Sequence, residues 1–422
     1  MAGSGARWIS AFAGMTVLLA AADPAIAAEV SVRAGNLAAA LAAARPGDHL
    51  ILEPGIHEGP IDIDRTITLS GRPGAVVDGG RRGNVIRVSA PEVVIRDLEI
   101  RNSGHSLERM DSGVFIGKEG DGAVVENNRI IGNLFGVYVW GPENAVVGNN
   151  LISGLTELRV NERGNGVSLW NAPGSRIEGN VIEFGRDGIF TTTSKRNAFT
   201  GNRFSNLRFA VHYMYTNESV VSGNVSTGNN AGYVLMFSDR LRVEGNHSSG
   251  DRDHGIALNY ANSSTILGNA VEGGSTKCVF IYNSNKNEFR RNHFEGCEIG
   301  IHFTAGSERN VFSANAFIGN ETQVKYVGTR HLDWSDGGTG NYWSDNPAFD
   351  LNGDGIADAP YRPNDLVDQV VWRVPAAKLL LNSPAVQVVR WAQTQFPSLL
   401  PGGVIDSAPL MKPPGNQRRA AR

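Results

Sequence analysis

Sulfur is scarce in this chain of 422 residues, which holds two cysteines and six methionines. Two cysteines are too few for a closed four-thiolate metal centre. Positive charge is not in excess either: lysine and arginine total 39 against 42 aspartates and glutamates, for a net charge of −3. A nucleic-acid binder would carry a basic surplus, so that class is set aside. Past the first 27 residues no apolar run approaches the ~20 residues needed to cross a bilayer. The mature chain is therefore expected to hold no transmembrane segment. What it holds in quantity is glycine, 51 residues, with only 19% charged residues, the composition of a turn-rich β protein.

Residues 1–27 read as a cleaved, Sec-type secretory signal. Arg7 is the charged start, Ile9 to Ala22 is apolar, and Ala25-Ile26-Ala27 is a small-x-small cleavage site. The expected compartment is the periplasm of a Gram-negative bacterium.

From Glu126 to Asn320 one short phrase recurs, marked by Asn128, Asn150, Asn180, Asn202, Asn224, Asn246, Asn269, Asn292 and Asn315. Most steps are 22 or 23 residues, and one is 30. A fixed period of this size means stacked repeats. The unit is too short for two-helix repeats and lacks the leucine-rich L-x-x-L-x-L core. It contains short β-branched or aromatic runs separated by Gly, Asn, Ser and Asp, the residues that tolerate tight turns. Strands too short to bury a face alone can stack on their own copies. The expected fold is all-β, a parallel β-helix of ~22-residue coils, right-handed by the general bias of parallel crossovers. The repeated asparagines read as a ladder of corner side chains bonded from coil to coil.

The flanks should close the solenoid. Asn36 to Ala44 reads as a short helix with Asn36 as N-cap, covering the open N-terminal end. Ser383-Pro384 starts a C-terminal helix with Val388, Trp391 and Ala392 on its apolar stripe. That tail either docks as a cap or projects toward a partner. From Pro409 the basic, proline-rich end reads as unstructured. The expected organisation is a signal over 1–27, β-helix over 28–330, C-terminal cap over 331–368 and helical, proline-rich tail over 369–422.

Alternation within each run sorts side chains into and out of the coil. The inward stack reads Val114, Val137, Val167, Ile189, Val211, Tyr233, Ile256, Val279 and Ile301. One outward column reads Phe115, Tyr138, Ser168, Phe190, His212, Val234, Ala257, Phe280 and His302. The other reads Gly117, Trp140, Trp170, Thr192, Met214, Met236, Asn259, Tyr282 and Thr304. With coils about 4.8 Å apart, Met214 should lie beside Met236, with His212 on the same face. Thioether plus imidazole is a soft donor set suited to Cu(I). Methionines packed under a loop or partner would give the same pattern.

Tyr138, Trp140 and Trp170 lie near two insertions, His105 to Asp111 and Thr156 to Arg163, that should leave the same corner. They are either a binding patch or the floor of the second loop. Cys278 and Cys297 differ little in repeat phase and could bridge. His247, Asp251, Asp253 and His254 form a possible metal loop or a solvated one. Asp350, Asn352, Asp354 and Asp358 match the start of a calcium loop, but Tyr361 stands where its twelfth, acidic position belongs. Polysaccharide-active β-helix enzymes, lyases or epimerases, need paired carboxylates or a base with a cation. The outward columns carry no Asp or Glu, which points away from an enzyme, although Glu178, Glu183 and Asp187 lie at other corners.

The tandem GN-type coils, the VHYMYTN segment over Val211 to Asn217, and GNYWSD…DLNGDGIADAPYRPNDLVD from Gly340 to Asp368 resemble the NosD family over nearly the full mature chain. The resemblance implies a periplasmic accessory protein that works with the permease and ATPase subunits of an inner-membrane ABC transporter. It implies receipt of copper from a lipoprotein chaperone and delivery to nitrous oxide reductase during assembly of its copper centres. It carries no ligand assignment of its own. The combined expectation is a non-enzymatic copper carrier with His212, Met214 and Met236 as an exposed Cu(I) site. A metal-free docking scaffold is the alternative.

Overall fold

The computed structural model describes residues 27–304, 306–328, 330–381, 383–396 and 402–415. The expected signal over 1–27 lies outside the described residues except for Ala27. The rest is the expected parallel solenoid: two sheets of thirteen strands and one of twelve form its three walls. A single coil illustrates the path. The chain runs along Phe209–Asn217 in the twelve-stranded wall, turns into Val220–Ser222, and turns again into Val225–Thr227. It then re-enters the twelve-stranded wall at Ala231–Met236. Each strand pairs in parallel with its copy one coil away.

Two features of the sequence produce this geometry. Val137, Val167, Ile189, Val211, Tyr233, Ile256, Val279 and Ile301 stack in register and are almost wholly buried. Burying one such side chain stabilises the fold by roughly 1.5–3 kcal/mol. The second feature is the Gly-Asn phrase. Gly223 turns the corner at φ 63° and Asn224 follows it. Asn224 Oδ1 accepts from the backbone N–H and the side-chain amide of Asn202, at 2.9 and 3.0 Å. Its own amide donates to Phe199 O at 2.9 Å and to Asn246 Oδ1 at 2.9 Å. The same bonds run from Asn128 to Asn341. They satisfy the buried N–H groups of the asparagines at the corners.

At the N-terminal end α1 (Leu37–Ala43) covers the coil with Leu37 buried, but the Asn36 side chain makes no capping hydrogen bond. Asn36 sits at φ −107° and ψ 2° rather than in the extended region from which an N-cap side chain reaches back. At the other end Trp334 and Trp343 stack on Phe312 and Phe317 with ring centroids 4.0 and 4.3 Å apart, plugging the last coil. Residues 409–415 are not loose as expected. Val404–Ile405 pairs with Leu332–Asp333, and Pro409 O accepts from Ala357 N at 2.8 Å. Buried Asp406 anchors this return, accepting from Asn341 N at 2.7 Å and Trp343 Nε1 at 2.8 Å.

The tail divides its apolar surface. In α2 (Leu366–Arg373) Val367 and Val371 are buried, and the Arg390 guanidinium of α3 (Pro384–Gln395) bonds Asp365 at the start of α2 at 2.8 Å. Ser383 caps α3 as expected, accepting from Val386 N. The stripe on α3 does not pack on the coils: Val388 is 62% exposed, and Leu379 before it is 90% exposed.

Candidate metal centre

The outward columns of the twelve-stranded wall fall in the expected register. Phe190, His212 and Val234 are neighbours on successive strands, as are Thr192, Met214, Met236 and Asn259. His212 and Met214 therefore share a face, and Met214 and Met236 lie side by side.

The expectation of an exposed site is corrected. His212 is only 8% exposed, because the rings of Phe190 and Phe209 pack against it at 5.0 and 5.2 Å. Met214 and Met236 are half-buried, Met236 against Ala231, Val234 and Ala257. Outward pointing is not the same as exposed when neighbouring columns carry aromatic rings.

Two residues complete the site. His212 Nδ1 lies 3.0 Å from Asp187 Oδ2. The Arg208 guanidinium grips the same carboxylate with two bonds of 2.8 and 2.6 Å and lies over the Phe209 ring. Burial alone would raise the Asp187 carboxyl. The hydrogen bonds from His212 and Arg208, with the guanidinium charge, outweigh it and hold the carboxyl below its ordinary value. A carboxylate at that distance makes Nδ1 the donor nitrogen, which leaves Nε2 as the atom that can ligate. Nε2 is buried and has no hydrogen-bond partner. A carboxylate that orients an imidazole and leaves its other nitrogen open is the usual support for a metal-ligating histidine. Sequence reading placed Asp187 with the acids of a possible enzyme and missed Arg208. The detectable signal was spacing, since Asp187 precedes His212 by 25 residues and Arg208 by 21, one coil plus three and one coil minus one.

Further along the wall, burial and then Lys325, Lys277 and His254 push His302 down to about 4. His254 is lowered too, by burial and by Lys277. Both rings flank Phe280. These imidazoles are neutral at neutral pH.

The remaining candidates separate. Met110 of the first insertion and Leu158 of the second pack with Tyr138 on Leu134, Phe135 and Leu155, so Tyr138 is part of a loop floor. Trp140 and Trp170 stack at 5.6 Å, with Trp170 39% exposed. Cys278 and Cys297 form a buried disulfide, which removes both from metal binding. His247, Asp251, Asp253 and His254 do not converge. Asp251 is buried on Ser248 and Asn229 N, and Asp253 pairs with Arg252. In the 350–358 loop, Asp350 accepts from Gly353 N and Gly355 N at 2.6 and 2.8 Å. Asn352 accepts from Asp354 N, Asp354 from Ile356 N, and Asp358 from Leu351 N.

The outward columns of the twelve-stranded wall present imidazole, thioether and aromatic groups, and the carboxylate nearest His212 is held by arginine. A family model described as periplasmic copper-binding protein (NosD) matches residues 148–348, and the chain belongs to the NosD family. A probable ABC transporter binding protein NosD of Stutzerimonas stutzeri is 42% identical over 377 residues, 86% of each chain. Its namesake in Pseudomonas aeruginosa is 40% identical over 381 residues, 87% of this chain and 89% of that one. Both are named as binding proteins, not enzymes, and the non-catalytic expectation agrees with them. Among solved structures, the A-modules of two mannuronan C-5 epimerases of Azotobacter vinelandii share the fold. Their TM-scores are 0.55 and 0.53 at 13% and 14% identity. The matches cover 66% and 73% of this chain, and 89% and 94% of theirs. Likeness at that identity concerns the fold alone. Among the described residues no helix is long and apolar enough to cross a membrane.

Proposed function

We propose that this periplasmic protein accepts copper from a lipoprotein chaperone and passes it on for assembly of the copper centres of nitrous oxide reductase, working beside an inner-membrane ABC transporter. The observation that carries this reading is His212, buried and aligned by Asp187, with Nε2 unpartnered and two thioethers in adjacent register. One imidazole and two thioethers make a soft, low-coordination donor set that selects Cu(I). Such a set exchanges ligands with a donor or acceptor protein more readily than a closed site, so copper need never be a free ion. The partial cover over His212 suits cargo that must be shielded between transfers. In the calcium-like loop the side chains of Asp350, Asn352, Asp354 and Asp358 already accept backbone N–H groups, and we assign that loop a structural part.

The test is anaerobic Cu(I) competition against a chromogenic chelator. The native chain should bind one equivalent, and Met214→Leu/Met236→Leu should lose at least 100-fold in affinity. If neither chain binds, the protein is a scaffold and copper is held elsewhere.

For the transporter we assign the apolar surface of the tail, where Leu379 and Val388 are exposed while the same segment is anchored through Val367 and Val371. Leu379→Asp/Val388→Asp should fold normally and no longer co-purify with the permease and ATPase subunits. Undiminished co-purification would move the contact to the coils.

A further inference from the structure

A second cluster of donor atoms lies on a different wall. His247–Ser249, Ala270–Glu272 and His293–Glu295 are consecutive strands of the thirteen-stranded wall that also carries Val225–Thr227. Registered side by side, they form an outward column His247, Ala270, His293 and another Ser249, Glu272, Glu295. Alanine in the middle strand leaves open the space between the two imidazoles, and Glu272 fills part of it from the next column. His247 Nε2 lies 3.3 Å from Glu272 Oε2, and His293 Nε2 lies 2.6 Å from Glu295 Oε2. Donor atoms of Glu272, His293 and Glu295 all lie within 4.8 Å of one another.

Without a metal each contact is an ordinary hydrogen bond, a ring N–H donating to a carboxylate oxygen. A proton on each ring satisfies one pair at a time. A single divalent ion satisfies both pairs at once. The 3.3 Å separation of His247 and Glu272 is about that of two ligand atoms on a tetrahedral ion with bonds of roughly 2.0–2.1 Å. The other pair would open slightly to match. Its groups have room to do so, since the side chains of His293 and Glu295 are 19% and 49% exposed. The corresponding figures for His247 and Glu272 are 27% and 43%, which leaves an entry path from solvent.

We propose that Glu272, His293 and Glu295, whose donor atoms already lie together, form a site for a divalent cation of borderline softness, with Zn2+ as its representative, and that His247, in contact with Glu272, swings in as its fourth ligand. The site ties three consecutive coils together. Nitrogen and oxygen donors without sulfur set it apart from the thioether site, and it does not depend on the copper reading.

The experiment titrates Zn2+ into chelator-treated mature protein at pH 7.5, using a chromogenic competitor. One equivalent is expected, weakened at least tenfold by His247→Gln or by His293→Gln and abolished by Glu272→Gln/His293→Gln. Met214→Leu/Met236→Leu should bind Zn2+ like the native chain. Thermal unfolding checks that each variant is folded. No uptake at micromolar Zn2+ would overturn the site, as would uptake unchanged in the double variant or lost in the methionine variant.

Discussion

Asn224→Ala should lower the stability of the coil array by roughly 2–5 kcal/mol. The side chain is fully buried and serves three neighbours. Removing it leaves the Asn202 backbone N–H and the Phe199 carbonyl without their partners, each costing about 1–3 kcal/mol when water cannot replace them. It also removes one of the two bonds to Asn246 Oδ1. Because each coil contacts only its neighbours, the break falls in mid-array and weakens both halves. Thr227→Ala, exposed on the same coil, should shift stability by no more than about 0.5 kcal/mol. Urea unfolding compares the two variants. A loss below 1 kcal/mol for Asn224→Ala would mean that water or a shifted backbone replaces the ladder, and that the corners are held by the hydrophobic stack alone.

Asp187→Asn should weaken Cu(I) binding by about 10- to 100-fold while leaving the protein folded, the usual range for removing the group that orients a metal-ligating histidine. Asparagine keeps the size of the side chain. It loses the charge and one of the two carboxylate oxygens, of which Oδ1 accepts from Arg208 Nε while Oδ2 accepts from Arg208 Nη2 and the His212 Nδ1–H. A purely structural role would lower the unfolding midpoint and leave the affinity of the surviving folded protein unchanged. The two readings therefore separate when chelator competition and thermal unfolding are run on the same preparation. Native-like Cu(I) affinity in folded Asp187→Asn would remove His212 from the ligand set, leaving the Met214 and Met236 pair alone.

The architecture was legible because it repeats. A 22-residue period, a glycine or left-handed residue before each ladder asparagine, and strict alternation after it leave few folds open, and register follows from the alternation. The inward stack and both outward columns could be written down strand by strand for that reason. The ends were less legible. Nothing periodic announces that Asp406 will close the C-terminal coil from 65 residues downstream of Asn341. Composition alone made the segment from Pro409 look unstructured. Asn36 had the right chemistry for a helix cap and the wrong backbone angles.

The sequence by itself determined the coil, its core, the asparagine ladder and the adjacency of Met214 to Met236, since all of these depend on position modulo one repeat. Only the tertiary structure decided that His212 is covered rather than exposed, that Asp187 and Arg208 hold it, and that His247 meets Glu272 instead of Asp251 and His254. Those contacts join residues at different phases of the repeat, across corners and between columns. Their distances depend on how each coil turns and on which side chains fill the space beside them, and no period records either.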